Sequence, residues 1–99
     1  MADKTTVLVS GAFNVLHPGH LRLLRFAKEC GDQLIVAVNS DRIAMGGAYV
    51  PEDLRLEVVQ SNNWVDEAFL IDEPIAQVIA RLQPNIVVKG KEHETKINP

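Results

Sequence analysis

The chain has 99 residues, 46% of them hydrophobic and 23% charged, and its ten Lys and Arg against thirteen Asp and Glu give a net charge of −3. That length holds one domain, 1–99, and a balanced composition without repeats or low-complexity tracts excludes the disordered and fibrous classes. The acidic balance excludes a broad basic face for nucleic acid, and the longest wholly apolar run, Leu34 to Val38, is far short of the roughly 20 residues of a membrane span.

Thr5 to Ser10 (TTVLVS) is a β-branched apolar run ending at Gly11, which reads as a first strand buried on both faces. After the loop GAFNVLH, Pro18 suits the first position of a helix and Gly31 its end, so a helix is expected over about Pro18 to Cys30. Leu21, Leu23, Leu24, Phe26, Ala27 and Cys30 form its apolar stripe, and Cys30 reads as packed rather than reactive. Gln33 to Val38 is a second buried strand, followed by Asn39, Ser40 and Asp41, which favour turns and caps, and by a mobile-looking stretch, RIAMGGAYV.

Pro51, Glu52 and Asp53 look like an acidic first turn of a second helix running to about Asn62, with Leu54, Val58 and Val59 as its stripe. Val65 to Ile71 is a third strand. Pro74 opens a third helix whose Ile75, Val78, Ile79 and Leu82 fall at i, i+3, i+4 and i+7, and Asn85 to Val88 is a fourth strand. Alternating strands and helices with short connections predict an α/β fold: a Rossmann-like three-layer α/β/α arrangement around a parallel sheet of about four strands. Ligands of such sheets bind at the carboxyl ends of the strands, where the loops GAFNVLHPGH, NSDRIAMGG and KGKEH converge.

The first of these loops carries the chemistry. His17 and His20, three apart at the start of a helix, share a face with free backbone N–H groups and the positive end of the helix dipole, and Gly19 between them lets an anion approach the backbone. Imidazole N–H groups on both sides suit a phosphoryl group whose charge spreads in the transition state. Read singly, His17 is equally an ordinary cap and His20 a partly buried surface residue. The one cysteine and the N-terminus MADKTT, without a basic and then apolar leader, point to a reducing, cytoplasmic setting.

The segment GAFNVLHPGH after a strand resembles the G-x-F-D-x-x-H-x-G-H signature of the cytidylyltransferase-like nucleotidyltransferases. Cys30 to Asp41 (CGDQLIVAVNSD) is similar to the family's second strand, Trp64-Val65-Asp66-Glu67 to its step into strand three, and Val87-Val88-Lys89-Gly90 to its V-K-G. The likeness runs from about Val7 to Gly90 and is greatest to the glycerol-3-phosphate cytidylyltransferase and ADP-heptose synthase branches. It implies transfer of CMP or AMP from CTP or ATP to a phosphorylated small molecule, a sugar or polyol phosphate, releasing pyrophosphate without a covalent enzyme intermediate. His17 and His20 match the catalytic histidines. Gly11, Ala12, Phe13, Asn14 and Gly19 match the nucleotide-lining loop, Lys89 and Gly90 the V-K-G step, and Arg55 lies where the family often has a triphosphate-binding arginine; otherwise it is a solvated arginine on a helix face. Magnesium is expected to be carried by the triphosphate, with no metal ligands from the protein. The Trp64-Val65-Asp66 stretch matches one used in the family for self-association, so a homodimer is an expectation.

The sequence departs from this pattern in three places. Asn14 stands where the family has Asp, no Lys occurs between Lys28 and Lys89, and the chain stops at GKEHETKINP, before the family's C-terminal strand, helix and second triphosphate-binding motif. Lys89 or Lys91 could supply the missing charge, and His93 reads as a surface residue. A C-terminally short chain is therefore expected, an incomplete fragment or one that completes its site with a partner, with a non-catalytic nucleotide-binding module as the alternative. A piece of a class I aminoacyl-tRNA synthetase, which shares H-x-G-H, is disfavoured by the absent basic face and K-M-S-K-S loop.

Overall fold

A computed structural model of the chain describes residues 4–13, 18–44 and 50–88. The elements are β1 (Thr6–Gly11), α1 (Pro18–Glu29), β2 (Gln33–Asn39), α2 (Asp41–Ala44), α3 (Glu52–Gln60), β3 (Glu67–Ile71), α4 (Ile75–Leu82) and β4 (Ile86–Val88). All strand pairings are parallel and the order is β3-β2-β1-β4. The expected α/β architecture and all four strands are present. The chain winds outward from β1 to β3 and then returns past β1 to place β4 on its far side, so the order reverses between β1 and β4.

Strand alternation divides the interior in two. Val7 and Val9 of β1 join Leu34, Val36 and Val38 of β2 beneath Leu24 and Ala27 of α1 and Val59 of α3. Leu8, Ile35, Ala37 and Ile71 face the other way and are covered by Val78 of α4. Helices on both faces explain why β1 and β2 are continuous apolar runs rather than alternating ones. On α4, Ile75, Ile79 and Leu82 pack around Val78 as the periodicity predicts, and the helix stops at Gln83, which is left-handed at φ 50° and donates its N–H to the Ile79 carbonyl at 2.8 Å.

Two helical stripes differ from the expectation. On α1, Leu24 and Ala27 are buried, with Leu23 and Cys30 packed beside them, but Leu21 and Phe26 are 37% and 58% exposed. At 3.6 residues per turn these two lie roughly 100–120° to either side of Ala27, outside the strip that meets the sheet. On α3 the correction is larger: Leu54 and Val58 face solvent, and the buried face is Arg55 and Val59. The helix has turned to put an arginine inward. A four-residue helix, α2, also stands where only caps and a mobile-looking stretch were expected, a stretch whose residues 45–49 lie outside the described ones.

Polar ties fix the amino ends of the strands. Asp66, just before β3, accepts from the Lys28 ammonium at 2.6 Å and from the Leu34 N–H at 2.7 Å, joining α1, β2 and β3. Trp64 and Val65 pack against the first core. The Asn85 side chain accepts from the Thr6 N–H at 2.8 Å and so holds β4 to β1. Between α1 and β2, a Cβ on Gly31 would lie 2.7 Å from the Thr5 carbonyl oxygen and 2.8 Å from Val7 Cγ2, too close for any other residue.

Gly31→Ala is therefore expected to lower stability by about 1–3 kcal/mol in urea unfolding, since backbone rather than a side-chain tip must give way. The Lys28 ammonium, followed by the Leu34 N–H, holds the Asp66 carboxyl below its ordinary value. A depressed carboxyl contributes in full above the unfolded-state pKa and loses its contribution as pH falls from there through the folded value. Asp66→Asn is accordingly expected to cost about 1 kcal/mol at pH 7. The gap to the parent chain should close as unfolding is followed below about pH 4; a gap unchanged at acid pH would rule out this account.

Candidate functional site

The carboxyl end of β1 turns sharply. Phe13 has φ 55°, a left-handed conformation that costs a non-glycine residue roughly 1 kcal/mol or more, yet its side chain is buried at 3% exposure. The turn folds the phenyl ring back over Gly11, where a Cβ would sit 3.2 Å from Phe13 Cε2, so the glycine makes room for the ring. The ring also meets the His20 imidazole, with centroids 5.7 Å apart and planes tilted by 54°. His20 is in the first turn of α1, four and seven residues before the buried Leu24 and Ala27, so helical periodicity aims it at the sheet. Gly19 beside it is exposed. This corner is the β1/β4 reversal, where sheets of this class receive ligands.

Arg55 is enclosed, with no exposed side-chain surface. Nε donates to the Val50 carbonyl at 2.7 Å, Nη1 to the carbonyls of Ala12 at 2.6 Å and Asn39 at 2.7 Å, and Nη2 to Asp41 Oδ1 at 2.7 Å. Four of the five guanidinium N–H groups are thus held by the ends of β1 and β2, the start of α2 and the approach to α3. The reading of this residue as a solvated cation on a helix face is corrected: protein acceptors enclose the guanidinium. Asp41 is itself fixed, its N–H donating to Glu52 Oε1 at 2.8 Å.

Beyond β2 the edge is laced by a second set of contacts. Ser40 Oγ donates to Asp72 Oδ1 at 2.6 Å and accepts the Ile43 N–H at 3.2 Å, capping α2, while Arg42 donates to both carboxylate oxygens of Asp72. The Ser40 hydroxyl first, then Arg42, holds the Asp72 carboxyl below its ordinary value. These residues line an open depression of about 610 Å³ over the ends of β2 and β3, to one side of the His20 corner.

Of the expected site residues, the structure brings Ala12, Phe13, His20 and Arg55 into one contact chain, with Gly11 beneath the Phe13 ring and Gly19 at the helix start. His17, Asn14, Lys89 and Gly90 lie outside the described residues, as does His93. Among the described residues no three His, Cys, Asp or Glu side chains converge on a point that could hold a metal ion. No helix among the described residues is long and apolar enough to cross a membrane.

Because the Phe13 backbone is left-handed, its truncation should invert the usual order of alanine and glycine. Phe13→Ala is expected to cost about 3–5 kcal/mol through the lost ring. Phe13→Gly should be about 1 kcal/mol less damaging in the same unfolding assay, although glycine is normally the worse of the two.

Comparison with known proteins gives a consistent set of likenesses. The family model described as "Cytidylyltransferase-like" matches residues 8–98. The FAD synthase of Archaeoglobus fulgidus is 38% identical over 88 residues, which is 86% of this chain and 64% of that protein, and that of Archaeoglobus profundus is 39% identical over 87 residues, covering 56% of its length. Bifunctional protein HldE of Campylobacter curvus is 36% identical over 100 residues, covering 95% of this chain and 21% of HldE. The chain thus spans less than two thirds of each of these relatives. The crystal structure of the lipopolysaccharide core biosynthesis protein from Thermoplasma volcanium superimposes with a TM-score of 0.80 at 28% identity, over 86% of this chain and 73% of that one.

Proposed function

The chain belongs to the cytidylyltransferase-like family, and on that premise we propose that it moves CMP or AMP from CTP or ATP to a sugar or polyol phosphate, releasing pyrophosphate. The observation that carries this reading is the position of His20: on the sheet-facing side of the first turn of α1, at the reversal point of the sheet, with its ring held by Phe13. Of the two nucleotides, the names of the FAD synthase relatives favour ATP. FAD is itself an AMP unit joined by a diphosphate to a ribityl chain, which fits a polyol phosphate as acceptor class.

In this reading an oxygen of the acceptor phosphate attacks the α-phosphorus in line, the bond from that phosphorus to the β-bridging oxygen breaks, and pyrophosphate carries away the electron pair. The nucleophile is already anionic near neutral pH, so no side chain has to remove a proton. His20, its sequence partner His17 and the N–H groups of α1 donate to the phosphoryl oxygens as charge spreads over them. Magnesium enters with the triphosphate. A single cysteine fits a reducing compartment, and we place the reaction in the cytoplasm.

A second reading, a nucleotide-binding module without turnover, is favoured by one observation: the arginine expected at the triphosphate is enclosed by protein acceptors. Incubation with CTP or ATP, Mg²⁺ and a panel of sugar and polyol phosphates decides between them. Pyrophosphate is expected, and His20→Ala should lower kcat/KM by about 10²–10³, the effect of removing one transition-state donor. Calorimetric binding of nucleotide without pyrophosphate from any pair would select the module; absence of both would sink the two readings.

A further inference from the structure

We infer that Arg55 is a positioning residue, which acts on the reacting phosphates through the backbone of the β1 loop and the His20 ring rather than by touching the nucleotide; the inference rests on the nucleotidyl-transfer reading. Its side chain has no exposed surface, and four of its five donors are bound to protein oxygens. A phosphate could reach it only by displacing those partners.

What the guanidinium holds is the turn that carries Phe13. The Ala12 carbonyl, 2.6 Å from Nη1, belongs to the rigid peptide plane that also contains the Phe13 N–H. Anchoring that oxygen sets the plane from which Phe13 leaves at φ 55°. Such a conformation persists where its surroundings over-determine it, and here they are Arg55 on the backbone side and the packed ring on the other. The same Nη1 also bonds the Asn39 carbonyl at 2.7 Å, so one planar group fixes the end of β1 against the end of β2. The Phe13 ring then sets the tilt of the His20 imidazole, 5.7 Å away. The chain of contacts is therefore Arg55, the Ala12 carbonyl, the Phe13 turn, the His20 ring. Lysine cannot replace the arginine in it, because an ammonium presents one point of charge where four acceptors at fixed spacing need a fork.

The test uses the whole chain with ¹³C-labelled histidine rings. The Phe13 ring current should displace the His20 ring protons, and the signal that moves in Phe13→Leu identifies them among the three histidines. In Arg55→Lys at least half of that displacement should disappear, kcat should fall tenfold or more, and the KM for nucleotide should change less than threefold. An unmoved His20 signal in folded Arg55→Lys overturns the inference. So does a tenfold rise in KM with kcat retained, which is the mark of a direct phosphate ligand. Should Arg55→Lys fail to fold, Asp41→Asn loosens one anchor and leaves the three carbonyl bonds: a partial loss of the displacement with a two- to fivefold drop in kcat supports the inference, and no change in either overturns it. If the parent chain gives no pyrophosphate with any substrate pair, the nucleotidyl-transfer reading fails by itself, and the His20 signal still decides whether Arg55 sets the geometry of the ring.

Discussion

Taking a guanidinium out of water costs several kcal/mol, and Arg55 recovers that cost only because three carbonyls and a carboxylate meet it at hydrogen-bond distance. Each of those acceptors lies at a place where a strand or helix begins or ends. Ala12 directly follows β1, Asn39 is the last residue of β2, and Val50 precedes α3. The cation and the loops thus satisfy one another, and neither arrangement is stable without the other. The burial of Arg55 also sets the rotation of α3: with Arg55 inward, Val59 follows it one turn later and Leu54 and Val58 are carried to the outside. An electrostatic requirement has overridden the apolar pattern of that helix.

The fold was largely legible because its signals come from long apolar runs. Val7 to Val9 and Leu34 to Val38 lack alternation, which only a sheet covered on both faces explains, and α4 shows one clean stripe ending before Pro84. Element ends moved by one or two residues, as at Glu29 and Gln60, where bonding frays. The stripe of α3 departs from its apolar pattern for a definable reason: helical periodicity counts apolar residues and does not register an arginine whose partners are oxygens outside the helix. For the same reason α2, four residues capped by Ser40 and tied to Glu52, was invisible to a search for periodicity.

Gly11, Phe13 and His20 stand together as the spacing of GAFNVLHPGH implies, but the left-handed turn at Phe13 leaves no mark in composition, since that conformation is usually signalled by Gly or Asn. A detectable hint did exist. Arg55 sits four residues before Val59 on a helix whose other polar residues fall elsewhere, and Asp41 lies close enough in sequence to be its counter-charge.

The central strand has its two neighbours at very different distances along the chain. Thr6 pairs with Gln33, 27 residues on, whereas Val7 pairs with Ile86, 79 residues on. Closing the longer loop costs about 1 kcal/mol more in chain entropy, so the β1, α1, β2 unit has the shorter search and β4 docks after it. During synthesis the first strand therefore waits with one edge bare until β4 is made, an edge rich in Val and Leu and open to pairing with another chain. Among the described residues the corner at the end of β1 is completed only when β4 docks, which ties its assembly to a strand distant in sequence from the segment that holds His20.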